Sequence, residues 1–202
     1  MLVLPMFSDP RSELVGIVSS TGGPAALHTL LAGLSSDFDV PIVIVQHLPA
    51  GFAESMAANL ARRTGRDVRI ARQGMTLLPG LVVVAPGERH LEVVRIGARL
   101  RCALVDGVEE NGCRPAGDRM LRTAAEATNG KMVGVCLTGM GRDGAKGMQT
   151  LDRFGGHVVV QDEASSVVWG MPSAVLEAGV RASVLPLDRI PGSLGEGARR
   201  AA

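Results

Sequence analysis

Two adjacent serines, a histidine and an aspartate each stand just past a short apolar run in this sequence. Ser19 and Ser20 lie in "GIVSSTGGPAAL", His47 in "QHLPAG" and Asp143 in "LTGMGRDGAKGM". A serine hydroxyl is a weak nucleophile until a neighbouring base takes its proton. An imidazole can be that base, and a carboxylate then fixes its tautomer and stabilises the imidazolium that forms. The three residue types together point to a hydrolase. The chain order Ser, His, Asp differs from the common hydrolase orders, but triads are defined by geometry and not by order.

Each of these stretches also has a plainer reading. "SSTGGP" could cap a helix, with Gly23 as N-cap and Pro24 at the first helical position. It could equally cradle a phosphate or an oxyanion at a helix N-terminus, or hold a serine clear of the sheet on a tight turn. A lone histidine is commonly a hydrogen-bonded structural residue. His28, His90 and His157 fall in a helix or near strand starts, and only His47 shares a predicted rim with the serines. Asp143 alone would read as a helix cap or a first-turn acid favoured by the helix dipole.

The third loop also contains Gly139-x-Gly141-x-x-Gly144, a match to the dinucleotide fingerprint, with Asp162 and Glu163 near the distance expected of a ribose ligand. Asp143 argues against that reading, because its carboxylate would stand where the pyrophosphate should approach. Too little chain follows for the rest of such a fold. The sequence has no HExxH, no cysteine cluster and no histidine pair at ligand spacing, so neither a cofactor nor a metal is expected. Cys136 falls inside a predicted buried strand and reads as a small core residue.

Composition narrows the partners. The chain has 202 residues, 46% apolar and 20% charged, with a net charge of +1. That is a globular balance, without the basic excess of a nucleic-acid partner. Four Phe, one Trp and no Tyr leave little for base stacking. Three scattered cysteines, Cys102, Cys113 and Cys136, suit free thiols in a reducing compartment. "MLVLPMF" is too short and lacks the basic residues of a signal peptide, and no run is long enough for a membrane span. A cytoplasmic location without membrane insertion is the expectation.

The elements that must position these loops are readable from hydrophobic periodicity. Leu14 to Ser19 predicts a strand, followed by a helix from about Pro24 to Leu34. "VPIVIVQH" predicts a strand buried on both faces. "GFAESMAANLARRTG" predicts a helix with Phe52, Met56 and Leu60 on one stripe and Gly65 as C-cap. "DVRIA", "LVVVAP", "HLEVVR" and "LRCALV" predict strands, with Ile96-Gly97-Ala98 as a hairpin loop. No helix-length segment separates the last three, which predicts antiparallel pairing among them. Alternation resumes with "GDRMLRTAAEATNG", "KMVGVCL", "DGAKGMQTLDRFGG" and "HVVVQ", then a helix at "PSAVLEAG" and an extended "SVLPL". The expected fold class is α/β: a three-layer, mainly parallel, doubly wound sheet with an antiparallel hairpin insert. Ligands in such sheets bind at the carboxyl ends of the strands.

The ordered set "SSTGGP", "QHLPAGF", "LLPG…VAPGERHL", "NGCRP…D", "LTGMGRDGAKGM" and "QDEASSVVWGMP" resembles the motifs of the catalytic domain of CheB-type protein-glutamate methylesterases. The resemblance runs from about Val15 to Leu187. It divides the chain into an N-terminal extension over 1–13, a catalytic domain over 14–190 and a flexible tail over 191–202. It implies a catalytic triad of Ser20, His47 and Asp143, with Thr21 helping to orient the site and the backbone N–H of Met140 holding the oxyanion. The implied substrate is a γ-glutamyl methyl ester on the cytoplasmic bundle of a chemoreceptor, cleaved to methanol through an acyl-enzyme. Some family members also deamidate glutamine at receptor sites.

Four departures from the family pattern accompany the match. No phosphorylatable receiver domain is expected before the first strand, so regulation would be absent or come from a separate receiver protein. Arg72, Gln73 and Met75 stand where relatives are often acidic. Cys113, Ala116 and Gly117 replace residues of a common H-R-P-S-V-D run, and both groups of changes are expected to alter the substrate-facing surface. Ser19 stands where Ala is frequent, which leaves two candidate hydroxyls side by side. A degenerate relative that docks on receptors without turnover is the competing reading, and the complete Ser, His and Asp set argues against it.

Overall fold

The computed structural model describes residues 12–49 and 51–198, with side-chain surroundings through Leu194. Nine strands and six helices alternate along it: β1 (Leu14–Ser19), α1 (Gly23–Gly33), β2 (Ile42–Gln46), α2 (Phe52–Thr64), β3 (Val68–Ile70), β4 (Val82–Val84), β5 (His90–Ile96), β6 (Arg99–Val105), α3 (Gly117–Thr128), β7 (Met132–Cys136), α4 (Ala145–Arg153), β8 (His157–Gln161), α5 (Gly170–Glu177), β9 (Ala182–Leu185) and α6 (Ile190–Ala198). Seven strands form one parallel sheet in the order β3-β4-β2-β1-β7-β8-β9. β5 and β6 pair antiparallel in a sheet of their own. The expected α/β class with a hairpin insert is the observed one.

Strand alternation builds the layers. Leu14 and Val18 of β1 pack with Met120 and Leu121 of α3, Met148 and Leu151 of α4, Val175 of α5, and the inner face of the hairpin. Val15 and Ile17 point the other way, to Leu27, Leu30 and Leu31 of α1, Met56 and Leu60 of α2, and Ile190 and Leu194 of α6. Each fully buried aliphatic side chain contributes about 1.5–3 kcal/mol. Truncating a central one such as Leu121 to Ala would cost about 2–5 kcal/mol, because the close-packed interior collapses only partly around the cavity.

β1 lies between β2 and β7, where the strand order reverses direction. At such a switch point the loops leaving neighbouring strands part to opposite faces and open a crevice at the carboxyl edge. Ser19 ends β1, and the loops after β1, β2 and β7 carry Ser20, His47 and Asp143.

Three expectations need correction. β4 does not join the hairpin: its Val82, Val83 and Val84 are buried on both faces and pair parallel with β2 and β3. The third antiparallel neighbour is instead the segment before β4, where Cys102 N–H donates to the Met75 carbonyl at 2.8 Å and Leu77 N–H to the Leu100 carbonyl at 3.0 Å. Phe52 is not on the buried stripe of α2; it is the first helical residue and is 57% exposed, whereas Met56 and Leu60 are buried. Residues 190–198, within the expected tail and its approach, form helix α6. Most of the expected N-terminal extension lies outside the described residues, as do residues 199–202. Among the described residues no helix is long and apolar enough to cross a membrane.

Candidate active site

The two serines separate by the alternation of β1. Ser19 follows Val15 and Ile17 onto the α1 face and is fully buried. Its hydroxyl donates to Gln46 Oε1 at 2.7 Å. Ser20 is half-buried, and its backbone is fixed on both sides: its N–H donates to the Thr138 carbonyl at 3.1 Å and its carbonyl accepts from Gly23 N–H at 2.8 Å. The Gln46 amide donates to the Ser20 carbonyl at 2.9 Å and to the His47 carbonyl at 2.8 Å. One buried side chain therefore ties the turn after β1 to the turn after β2.

Both glycines of "SSTGG" are required by this packing. Gly22 caps α1 in the left-handed region, at a φ of 82°. A Cβ on Gly23 would stand 1.8 Å from Gln46 Oε1. The cap is thus Gly22, one residue before the expected Gly23.

His47 is set by its N–H, which donates to the Ser19 carbonyl at 3.0 Å. Its ring Nε2 lies 2.7 Å from Asp143 Oδ2, and its Nδ1 lies 3.8 Å from Cys113 Sγ. With Asp143 ionised, Nε2 carries the proton and Nδ1 is the basic nitrogen. The Ser20 hydroxyl makes no hydrogen bond to the ring, a contact that often tightens only when substrate is bound.

Asp143 is 2% exposed. It does not cap its own helix α4, whose N-cap is Gly144 without a side-chain bond. It sits instead at the N-terminus of α3, accepting from Gly117 N–H at 2.6 Å and Asp118 N–H at 3.0 Å. Asn111 Nδ2 adds a longer bond at 3.2 Å and donates to Asp118 at 2.8 Å. Burial opposes the Asp143 charge, but the His47 bond and the α3 amides outweigh it and hold the carboxyl below the usual range. Asp118, also buried, is pushed up mainly by desolvation, with Asp143 nearby. Burial likewise opposes the His47 charge, yet the Asp143 hydrogen bond and the neighbouring Cys113 raise its pKa to about 9.

The loop after β7 closes the site from the far side. A Cβ on Gly139 would come within 2.8 Å of Ser20 Cβ, so this glycine of the fingerprint-like run packs on the serine. Met140, the next residue, is 69% exposed. Thr21 contributes its carbonyl, which accepts from the Thr138 hydroxyl at 2.9 Å. Asp162 accepts from the backbone N–H of Ser165 at 3.0 Å, and so shapes a turn.

His90, by contrast, is buried and structural, with Nε2 2.9 Å from the Val108 carbonyl and Nδ1 accepting from Ala116 N–H at 3.2 Å. Cys136 is fully buried and its thiol pKa is pushed up by desolvation. Ala116 and Gly117 are buried too, so of the "NGCRPAGD" departures only Cys113 among these three reaches the surface of the site. The donor atoms of His47, Cys113 and Asp143 lie within 4.8 Å of one another, close enough for one cation. Such an ion would have to displace the His47–Asp143 hydrogen bond.

Sequence reasoning did not assign roles to Gln46, Asn111 or Asp118. Gln46 had a signal: a polar residue ending a strand predicted to be buried on both faces must find partners.

Comparison with known proteins gives the family of the chain. The model of the CheB methylesterase family matches residues 15–194. The protein-glutamate methylesterase/protein-glutamine glutaminase 2 of Caulobacter vibrioides is 44% identical over 201 residues, 98% of this chain and 58% of that protein. The protein-glutamate methylesterase/protein-glutamine glutaminase of Azospirillum brasilense is 44% identical over 194 residues, 95% of this chain and 49% of that protein. The chain thus spans about half the length of the curated relatives it matches. The crystal structure of the Thermotoga maritima CheB methylesterase catalytic domain superposes with a TM-score of 0.88 at 40% identity, covering 92% of this chain and 98% of that one. On sequence and fold, the chain belongs to the CheB methylesterase family.

Proposed function

We propose that this chain is a serine esterase that hydrolyses glutamate γ-methyl esters on the cytoplasmic bundle of a chemoreceptor and acts in that compartment. The observation that carries the reading is the His47–Asp143 pair, 2.7 Å apart, at the switch point beside the Ser20 turn. Ser20 is the hydroxyl offered to a substrate, because that of Ser19 is buried on Gln46.

Ser20 Oγ attacks the ester carbonyl while His47 Nδ1 takes its proton, and Asp143 stabilises the imidazolium through Nε2. The oxyanion is received by backbone N–H, that of Met140 foremost; one such donor is worth about 10²–10³ in rate. The tetrahedral intermediate collapses by breaking the C–O bond, and methanol leaves with the proton from Nδ1. Water then attacks the acyl-enzyme with Nδ1 as base again, releasing glutamate and restoring Ser20. A glutamine side chain fits the same sequence with ammonia as leaving group, which extends the proposal to deamidation.

Incubation with receptor membranes carrying isotopically labelled methyl esters should release labelled methanol. Release no faster than from membranes alone would contradict the reading.

A further inference from the structure

The Cys113 thiol is held against the same imidazole that serves Ser20. A tight turn fixes it: Cys113 N–H donates to the Glu110 carbonyl at 2.9 Å and Glu110 N–H returns to the Cys113 carbonyl at 3.1 Å. Asn111 and Gly112 between them have φ of 54° and 71°, the left-handed pair that an Asn-Gly turn supplies. Sγ then lies 3.8 Å from His47 Nδ1, with Asp143 on the opposite ring nitrogen. Cys113, His47 and Asp143 thus form a thiol–imidazole–carboxylate series. The other two thiols differ sharply: Cys102 and Cys136 are buried, and desolvation raises the Cys102 pKa to about 12. Cys113 alone of the three is half-buried and reachable from solvent.

We propose that Cys113 is a hydroperoxide-reactive thiol whose oxidation blocks His47. Nδ1 of the neutral ring takes the S–H proton, and the thiolate is stabilised by the imidazolium, which Asp143 holds from the opposite nitrogen, the setting that makes cysteines nucleophilic. Sulfur attacks one peroxide oxygen, the S–O bond forms as the O–O bond breaks, and the leaving hydroxide takes the imidazolium proton as water. The product is the sulfenic acid, with sulfur oxidised and peroxide reduced. Its hydroxyl occupies the space beside Nδ1 and competes for the nitrogen that must accept the Ser20 proton. A small thiol reverses it through a mixed disulfide, with a second thiol equivalent returning Cys113 to S–H. The thiol chemistry stands by itself; only the loss of hydrolysis rests on the esterase reading.

The test treats the intact chain with hydrogen peroxide and dimedone and maps adducts by mass spectrometry, alongside methanol release. The adduct should form on Cys113 and not on Cys102 or Cys136, and its rate should fall about tenfold or more in both His47→Ala and His47→Gln. Without dimedone, peroxide should abolish hydrolysis and dithiothreitol should restore it, whereas Cys113→Ser should keep its own untreated rate. Labelling of Cys113 that is unaffected by both His47 variants would overturn the proposed activation. Full hydrolysis by sulfenylated protein would overturn the block while leaving the esterase reading intact. Peroxide inhibition that persists in Cys113→Ser and resists dithiothreitol would also overturn it, and would assign the lesion to a methionine such as the exposed Met140.

Discussion

His47 meets Asp143 through Nε2, at 2.7 Å, so its basic nitrogen is Nδ1. The familiar serine hydrolase arrangement uses the two nitrogens the other way round. Here the ring enters from the end of β2, with its backbone pinned to Ser19, and the carboxylate waits at the N-terminus of α3. The same two anchors leave Nδ1 facing Cys113, 3.8 Å from its Sγ.

That geometry sets a pH dependence. With the His47 pKa raised to about 9, the base is mostly protonated at neutral pH. Ester hydrolysis, followed as kcat/KM, should rise about tenfold per pH unit through neutrality and level near pH 9. Cys113→Ala removes one of the groups that raise the pKa and should move the rising limb to lower pH. Stability has the opposite sign: charged His47 favours the folded state fully below its unfolded pKa of 6.5, and that contribution is lost as pH rises through about 9. Urea unfolding at about pH 6 and pH 9 should show this slope in the wild type and not in His47→Gln.

Asn111 offers a second check, because its amide bridges Asp118 and Asp143. Asn111→Gly preserves the positive φ and removes the bridge, with a further small loss from glycine's greater freedom in the unfolded chain. Stability should fall by about 1.5–3 kcal/mol, as for other hydrogen bonds to charged groups. The rate should fall with little change in KM, since the loss reaches the substrate only through Asp143. A change in KM alone would contradict this positioning role.

Gly23→Ala tests the amide clamp. The added methyl meets Gln46 Oε1 and forces the side chain away from Ser19 and from the Ser20 and His47 carbonyls. Overpacking of this kind costs about 1–3 kcal/mol. Thermal unfolding should show that loss, and hydrolysis measured well below the new midpoint should still be impaired. Unimpaired hydrolysis would mean that Gln46 supports the fold and not the site.

Much of this architecture was legible from periodicity and punctuation. Apolar runs ending at Ser19, Gln46 and Leu137 located the three loops at one rim, because parallel strands end on the same edge. The burial of Ser19 was also within reach, since period-two alternation from Val15 and Ile17 carries it to the α1 face. Other features depend on pairings that local sequence does not encode. β4 took its place by parallel pairing across the sheet, while Gly74 to Leu77 took the antiparallel place beside β6. Asp143 sits at the start of a helix distant in sequence, and the closeness of Cys113 to His47 arises only when the Glu110–Cys113 turn folds over the rim.

The central claim is that Ser20, and not Ser19, is the nucleophile driven by His47 and Asp143. It is tested most directly by methanol release from labelled receptors by the wild type, Ser20→Ala and Ser19→Ala side by side. Ser20→Ala should fold normally and lose about four orders of magnitude or more in rate, as removal of a triad serine does. Ser19→Ala should retain turnover while losing about 1–3 kcal/mol of stability, because Gln46 Oε1 is left without its buried donor. Turnover that survives Ser20→Ala and vanishes in folded Ser19→Ala would contradict the account.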